Sequence, residues 1–371
     1  MNSLASIESL IASETDPDVR TENLCRLGVA LAQVGRIDEA SRILEQLRAY
    51  LSSRYILRIV IRTMILEALI PYYQDFANLS DRLRRAHVLA VAADVNDLRA
   101  EVSVWLAHLN FNFDDFDGFG QNIRDALDRF SLLNYSHRAR LVLAIADALQ
   151  YLGDRKSAME WYGVARSISR RAHDHGLMVA IEFNRVAMGL SHIRTWRALG
   201  RNDKEGVERN WLLELGSVRG LHHGFGAQAL LEVLDLCDAH AMEVRESYLE
   251  AAQALTRMRE AGGLHRCGVS ERLIDLEIMW CRAKSGSACP SIDWIEQECD
   301  LVMDMKRNEK LVGMRFLSDI VAICGVPFDR AQFNSEILSL AKELDIEYNS
   351  LRAAVTPVLD QIALIRGDQH S

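Results

Sequence analysis

Proline is scarce in this chain, with five in 371 residues, at positions 17, 71, 290, 327 and 357. Aromatic residues make up only 7% of the sequence, and no run approaches the ~18 uncharged apolar residues that a membrane span needs. The opening residues carry Glu8 and no basic segment, which argues against a secretory leader and for a cytoplasmic protein. Lysine is rare as well: six stand beside 37 arginines, a skew that reads as genome composition and not as a binding code. No C-x-x-C pair occurs among the seven cysteines, at 25, 237, 267, 281, 289, 299 and 324. An odd count in a long, core-rich chain excludes a disulfide framework as the basis of the fold, so reduced, buried thiols are expected.

What is present points to a packed protein. Hydrophobic residues are 49% and charged residues 26%, enough apolar material for a sizeable core and too much for disorder. The net charge of −9 argues against non-specific nucleic-acid binding. Apolar residues recur at three and four, as in Leu4, Ile7, Leu10 and Ile11, and strand signals are weak throughout. The chain therefore reads as all-α. Pro17, Pro71, Pro290 and Pro327 are expected at junctions between helices, and Asp16-Pro17 as an N-cap with a first-turn proline.

Residues 24 to 47, LCRLGVALAQVGRIDEASRILEQL, place Leu24, Leu27, Gly28, Leu31, Gly35, Ala40, Leu44 and Leu47 at suggestive spacings. Small residues at 28 and 40 let two helices approach closely. Gly35 can supply the left-handed turn between them, and Asp38 and Glu39 suit the first turn of the second helix. This stretch resembles the tetratricopeptide repeat. A second copy spans 142 to 166, with Gly153, Asp154, Ala158, Tyr162 and Ala165 at family positions and Ala146 where the family has glycine. A third, looser copy spans 104 to 127, where Gly120 replaces the family alanine and Asp115 the turn glycine. Degenerate helical pairs can be drawn near 57–94, 176–216, 222–261, 268–307 and 309–344, with a spacing nearer 38 to 40 than 34. Such stretched repeats are similar to those of bacterial regulatory helical-repeat proteins. The resemblance implies one right-handed superhelical solenoid of antiparallel helix pairs over residues 1–371. It would hold about seven to nine pairs, opened by a helix near 3–12 and closed by one near 346–366.

Candidate chemistry is thin. Asp114, Asp115 and Asp117 form the densest acidic cluster, the ligand type that all-helical terpene cyclases use for magnesium. It falls in an expected turn, and the nearest second motif, at Asn202-Asp203, has Gly206 and Asn210 where a hydroxyl and a carboxylate belong. A solvated turn and N-cap is the better reading. The Arg-x4-His signature of a helical ribonuclease family occurs as Arg82…His87 and Arg170…His175, and with this many arginines chance alone supplies about one such pair. His173 and His175, His222-His223, and His265 with Cys267 lack the partners of a tetrahedral zinc site. No Walker loop or G-x-S-x-G occurs, and HGFG at 223–226 follows no strand. The arginine clusters 82/84/85 and 166/170/171 read as solvated helix faces paired with nearby acids. No cofactor or metal is expected.

If the resemblance holds, the first helix of each pair lines a concave groove. The family's groove positions fall on Trp105, Leu109, Asn112 and Phe113 in one helix and on Arg140, Asp147, Gln150 and Tyr151 in another. Aromatic residues beside arginine are the mix of interface hot spots, and a side-chain amide can hold an extended peptide. Trp105 and Phe113 can equally well pack against neighbouring helices. In the helix at 21–33 the groove positions are Cys25, Val29 and Gln33, and no lysine occurs before Lys156, which disfavours a clamp for chaperone C-termini. The expectation is a non-enzymatic adaptor or regulator that binds a protein or peptide, with self-association permitted by the open ends of the array. The alternatives are a ligand- or signal-peptide-sensing regulator and, last, an all-helical enzyme.

Overall fold

A computed structural model describes residues 4–33, 35–74, 81–201, 204–222, 228–262, 270–305, 307–328, 330–361 and 365. Asn202, Asp203, the 223–226 stretch, His265 and Cys267 lie outside them. The described residues form no strand. Their helices are α1 (Leu4–Ser13), α2 (Pro17–Gln33), α3 (Ile37–Ser53), α4 (Leu57–Gln74), α5 (Asp81–Ala92), α6 (Asn96–Asn112), α7 (Phe116–Leu127), α8 (Tyr135–Tyr151) and α9 (Arg155–Ala172). They continue as α10 (His175–Ala198), α11 (Lys204–Glu208), α12 (Trp211–His222), α13 (Gln228–Val244), α14 (Tyr248–Ala261), α15 (Glu271–Lys284), α16 (Ile292–Met303), α17 (Arg307–Cys324) and α18 (Arg330–Leu359).

Local chemistry sets several of the helix ends. Asp16 caps α2 by accepting from the Asp18 N–H at 2.8 Å, with Pro17 in the first turn. Asp115, Asn134 and Asp154 cap α7, α8 and α9 in the same way, at 2.9 to 3.1 Å. Gly35 and Gly153 take φ of 78° and 81°, the left-handed turn expected of them. In the third copy the left-handed residue is Asp114, φ 59°, and not Asp115, which is the cap. The register of that copy therefore slips by one. Phe119, fully buried, takes the place of Ala40 and Ala158 one turn into the second helix, while Gly120 faces Ala354.

One proline expectation needs correction. Pro290 and Pro327 lie in junctions, but Pro71 lies inside α4. Proline there leaves the carbonyl of Glu67 without its helical donor, and Arg82 of α5 donates to that oxygen instead, at 3.4 Å. The closing helix is not separate either. α18 runs unbroken from Arg330 to Leu359 because 335–355 contains no glycine, proline or cap to stop it. Near 176–216 the structure shows a 24-residue α10 followed by α11 and α12 in place of a simple pair.

The chain divides into two compact units, 1–185 with 222–227 and 349–371, and 186–221 with 228–348. In the first, α1 to α7 pack each on the next and α8 packs on α9, and the first helices of successive pairs also pack on one another: α2 on α4, α4 on α6, α6 on α8. Three apolar clusters fill it, one under α1–α4, one between α4, α5 and α6, and one spanning α6–α9 and closed by Leu351, Val355 and Val358. In the second, α13 packs on α14, α14 on α15 and α16 on α17, and α15 meets α17 across α16. That contact brings the loop after α15 to the end of α17, where Cys289 and Cys324 form a disulfide with Cα atoms 5.7 Å apart. This corrects the expectation that every thiol is reduced. Cys25, Cys237 and Cys281 are free and buried, as expected.

The cross-helix bonds report the repeat length. Arg58–Asp97, Arg62–Glu101, Ser270–Glu309 and Trp280–Asp319 each join residues 39 apart, Arg62–Glu22 joins residues 40 apart, and Cys281–Glu243 joins residues 38 apart. Helix pairs thus stack with the step of 38 to 40 residues that the sequence suggests, a pattern consistent with a helical repeat.

Candidate functional site

The first helices α2, α4, α6 and α8 bring a charged row together. Glu22, Arg62, Glu101 and Arg140 recur at nearly the same interval, one per helix, with alternating sign. Arg62 is at the centre. Its Nε donates to Glu22 at 2.9 Å and its Nη1 to Glu101 at 2.9 Å. One turn earlier in α4, Arg58 makes a two-pronged contact with Asp97 at 2.9 and 2.7 Å and also reaches Glu22 at 3.1 Å. Burial pushes the Glu101 carboxyl up, but Arg62 outweighs it and holds the group below the ordinary range. His137 is 3.6 Å from the other Glu101 oxygen. Burial, with the charges of Arg140 and Arg62, pushes its pKa down, so the ring is neutral at pH 7.

Among the described residues the Arg140 guanidinium meets no carboxylate. It lies over the Trp105 ring, 4.7 Å from the centroid. Below it His108 contacts the Arg140 carbonyl at 3.0 Å, and burial drives this ring down to about 4. The expected groove residues Trp105 and Arg140 therefore do come together, but they are buried, at 3% and 8% exposure. Leu109, Asp147 and Gln150 are buried as well. Asp147 accepts from the Tyr162 hydroxyl and the Asn184 amide, both at 2.7 Å, and burial pushes its carboxyl up to about 7. Tyr151 is half-buried against Phe111 and Phe116. Of the eight expected residues, Asn112 and Phe113 are the exposed ones, at the C-terminal end of α6.

No protein-family model and no curated protein matches the chain. The chemical reading therefore rests on geometry. Glu22, Arg58, Arg62, Asp97 and Glu101 are engaged with one another, an arrangement that fixes the helices. Glu22, Arg58, Arg62, Asp97 and Glu101 were not singled out from sequence, although alternating charge at a 39- to 40-residue step was there to be found. The acidic 114–117 stretch is a turn and cap, as expected. Among the described residues no group of three or more His, Cys, Asp or Glu is arranged to hold a metal ion. Arg82 is directed to Glu67 and His87 to Asp125, so that Arg-x4-His pair does not converge. No helix among the described residues is long and apolar enough to cross a membrane.

The second unit has its own buried polar group. Arg194 of α10 pairs with Glu277 of α15, and its Nε lies 3.9 Å from Glu243 of α13. The Cys281 thiol donates to Glu243 at 3.7 Å. Burial and the neighbouring Glu277 push the Glu243 carboxyl up, while burial of Glu277 is outweighed by Arg194 and His240 together, which hold it down.

Proposed function

We propose that the protein is a non-enzymatic adaptor or regulator, a tetratricopeptide-like solenoid that binds a protein or peptide segment along the face formed by its first helices. The observation that supports this is the stacking of α2, α4, α6 and α8 at a step of 39 to 40 residues. Such stacking carries one side of each helix into the next and makes an extended surface. The internal ion pairs keep that surface rigid, which lowers the ordering cost of association. Affinity in this reading comes from the rim. Phe113 is 50% exposed, a large apolar side chain next to the exposed amide of Asn112.

The test is capture of partners from the native host by tagged full-length chain, read by mass spectrometry. Trp105→Ala is a poor probe because it would empty a buried site and perturb folding. The Phe113→Ala, Asn112→Ala double variant keeps the core intact. A partner held by wild type and by Leu213→Ala, a 67% exposed control in the other unit, should be lost by the double variant. A partner that the double variant retains would remove the α6 rim from the binding site.

A further inference from the structure

α14 and α15 pack side by side, and a pocket of about 370 Å³ opens along them in the second unit. Two arginines line it, Arg257 of α14 and Arg282 of α15. Their neighbours on the same helices are matched with acids. Arg259 pairs with Glu271 and Asp275 at 3.0 Å, Arg272 with Glu298 at 3.4 Å, and Lys284 with Asp319 at 3.9 Å. Arg257 and Arg282 make no ion pair among the described residues. In a chain of net charge −9, two guanidinium groups without an acidic partner beside one cavity concentrate positive charge there. The Gln253 amide adds a neutral donor at the same wall, and Leu249 and Ala252 supply an apolar one.

The edge of the pocket is held in place. Ser287, which lines it, donates to the Arg282 carbonyl through its N–H at 2.9 Å and its hydroxyl at 3.2 Å, and Ser285 donates to the same oxygen at 3.0 Å. Two residues further on, Cys289 ties the loop to α17. The volume lies at the small end of the range of ligand pockets, roughly 300 to 1,000 Å³, which suits a small molecule better than a folded segment. We propose that this pocket binds a small organic anion, its acid group between Arg257 and Arg282 and its apolar part against Leu249 and Ala252. The inference is independent of what the first-helix face binds.

Ligand-observed NMR titration of the full chain tests it, with phenyl phosphate, benzoate, inorganic phosphate and benzyl alcohol as probes. One or both aromatic anions should bind saturably. Which of the two is tighter tells a phosphate ester from a carboxylate. Inorganic phosphate should bind more weakly, for want of the apolar contact, and benzyl alcohol should not bind. Arg257→Gln and Arg282→Gln should each weaken the anion about tenfold, the loss of one charge-assisted hydrogen bond. Arg259→Gln, on the same helix but outside the pocket, should leave it unchanged. Four results would overturn the proposal: no saturable binding of either aromatic anion, equal binding by the Arg257 and Arg282 variants, an equal loss in Arg259→Gln, or inorganic phosphate binding as tightly as phenyl phosphate.

Discussion

Replacing Asp147 by asparagine should make the protein more stable at pH 8 and leave it little changed at pH 4. The carboxyl is buried and carries a pKa of about 7, against an ordinary 3.8, because burial disfavours its charge more than the Tyr162 and Asn184 donors favour it. The folded state then holds a proton that the unfolded chain has already released. Between pH 4 and 7 unfolding releases that proton, so stability falls as pH rises, and the loss is complete above pH 7. At 1.36 kcal/mol per pH unit the whole gap is worth roughly 4 kcal/mol, and the part between pH 5 and pH 8 about 2 to 3 kcal/mol. Asparagine preserves both contacts, since its oxygen can accept from Asn184 while its amide donates to the Tyr162 oxygen. Urea denaturation of wild type and Asp147→Asn at pH 5 and pH 8, followed by circular dichroism, isolates the term, because other titrating groups cancel in the difference. A stability difference that stays constant within about 0.5 kcal/mol between the two pH values would refute the reasoning.

Three further outcomes follow from packing and charge. Gly120→Ala should destabilise by about 1 to 3 kcal/mol in a denaturant titration. Its Cβ would sit 2.7 Å from the Ala354 Cβ and 3.3 Å from that residue's backbone, a clash that exceeds the ~1 kcal/mol helix-propensity gain. Cys289→Ser should raise the thiol count of the unfolded, unreduced protein by one, by releasing Cys324, and lower stability by about 3 to 4 kcal/mol, the closure entropy of a 35-residue loop. Arg62→Met should cost about 3 to 5 kcal/mol, since it leaves the buried Glu101 without its cation, and the loss should shrink when Glu101→Gln is added.

Much of the first unit was legible because its signals are local. Asp16-Pro17, Gly35, Gly153 and Asp154 act within one turn of their own position, and the structure uses each as its chemistry suggests. The failures needed distant residues. Pro71 stays inside α4 because Arg82 supplies a donor from another helix, and no pattern around residue 71 announces that. Cys289 and Cys324 meet because α15 packs on α17, a fact of the stacking and not of their spacing. The groove residues fell between these cases. Their helices and their faces were readable, and Trp105 does meet Arg140, but whether a face is open depends on what the rest of the fold lays over it.

The charged row of the first unit bears on why the step is so constant. Buried ion pairs seldom add net stability over apolar residues of the same size, because desolvation offsets the attraction. Removing one partner is costly, however, so they penalise every arrangement that separates them. Arg62 can reach Glu22 and Glu101 together only when α2, α4 and α6 stand in the observed register. A slip of one helical turn would move each charge about 5.4 Å along its axis and leave Glu101, fully enclosed, without its cation. The row therefore acts on register more than on total stability, and a fixed register is what the proposed binding face along α2, α4, α6 and α8 would require.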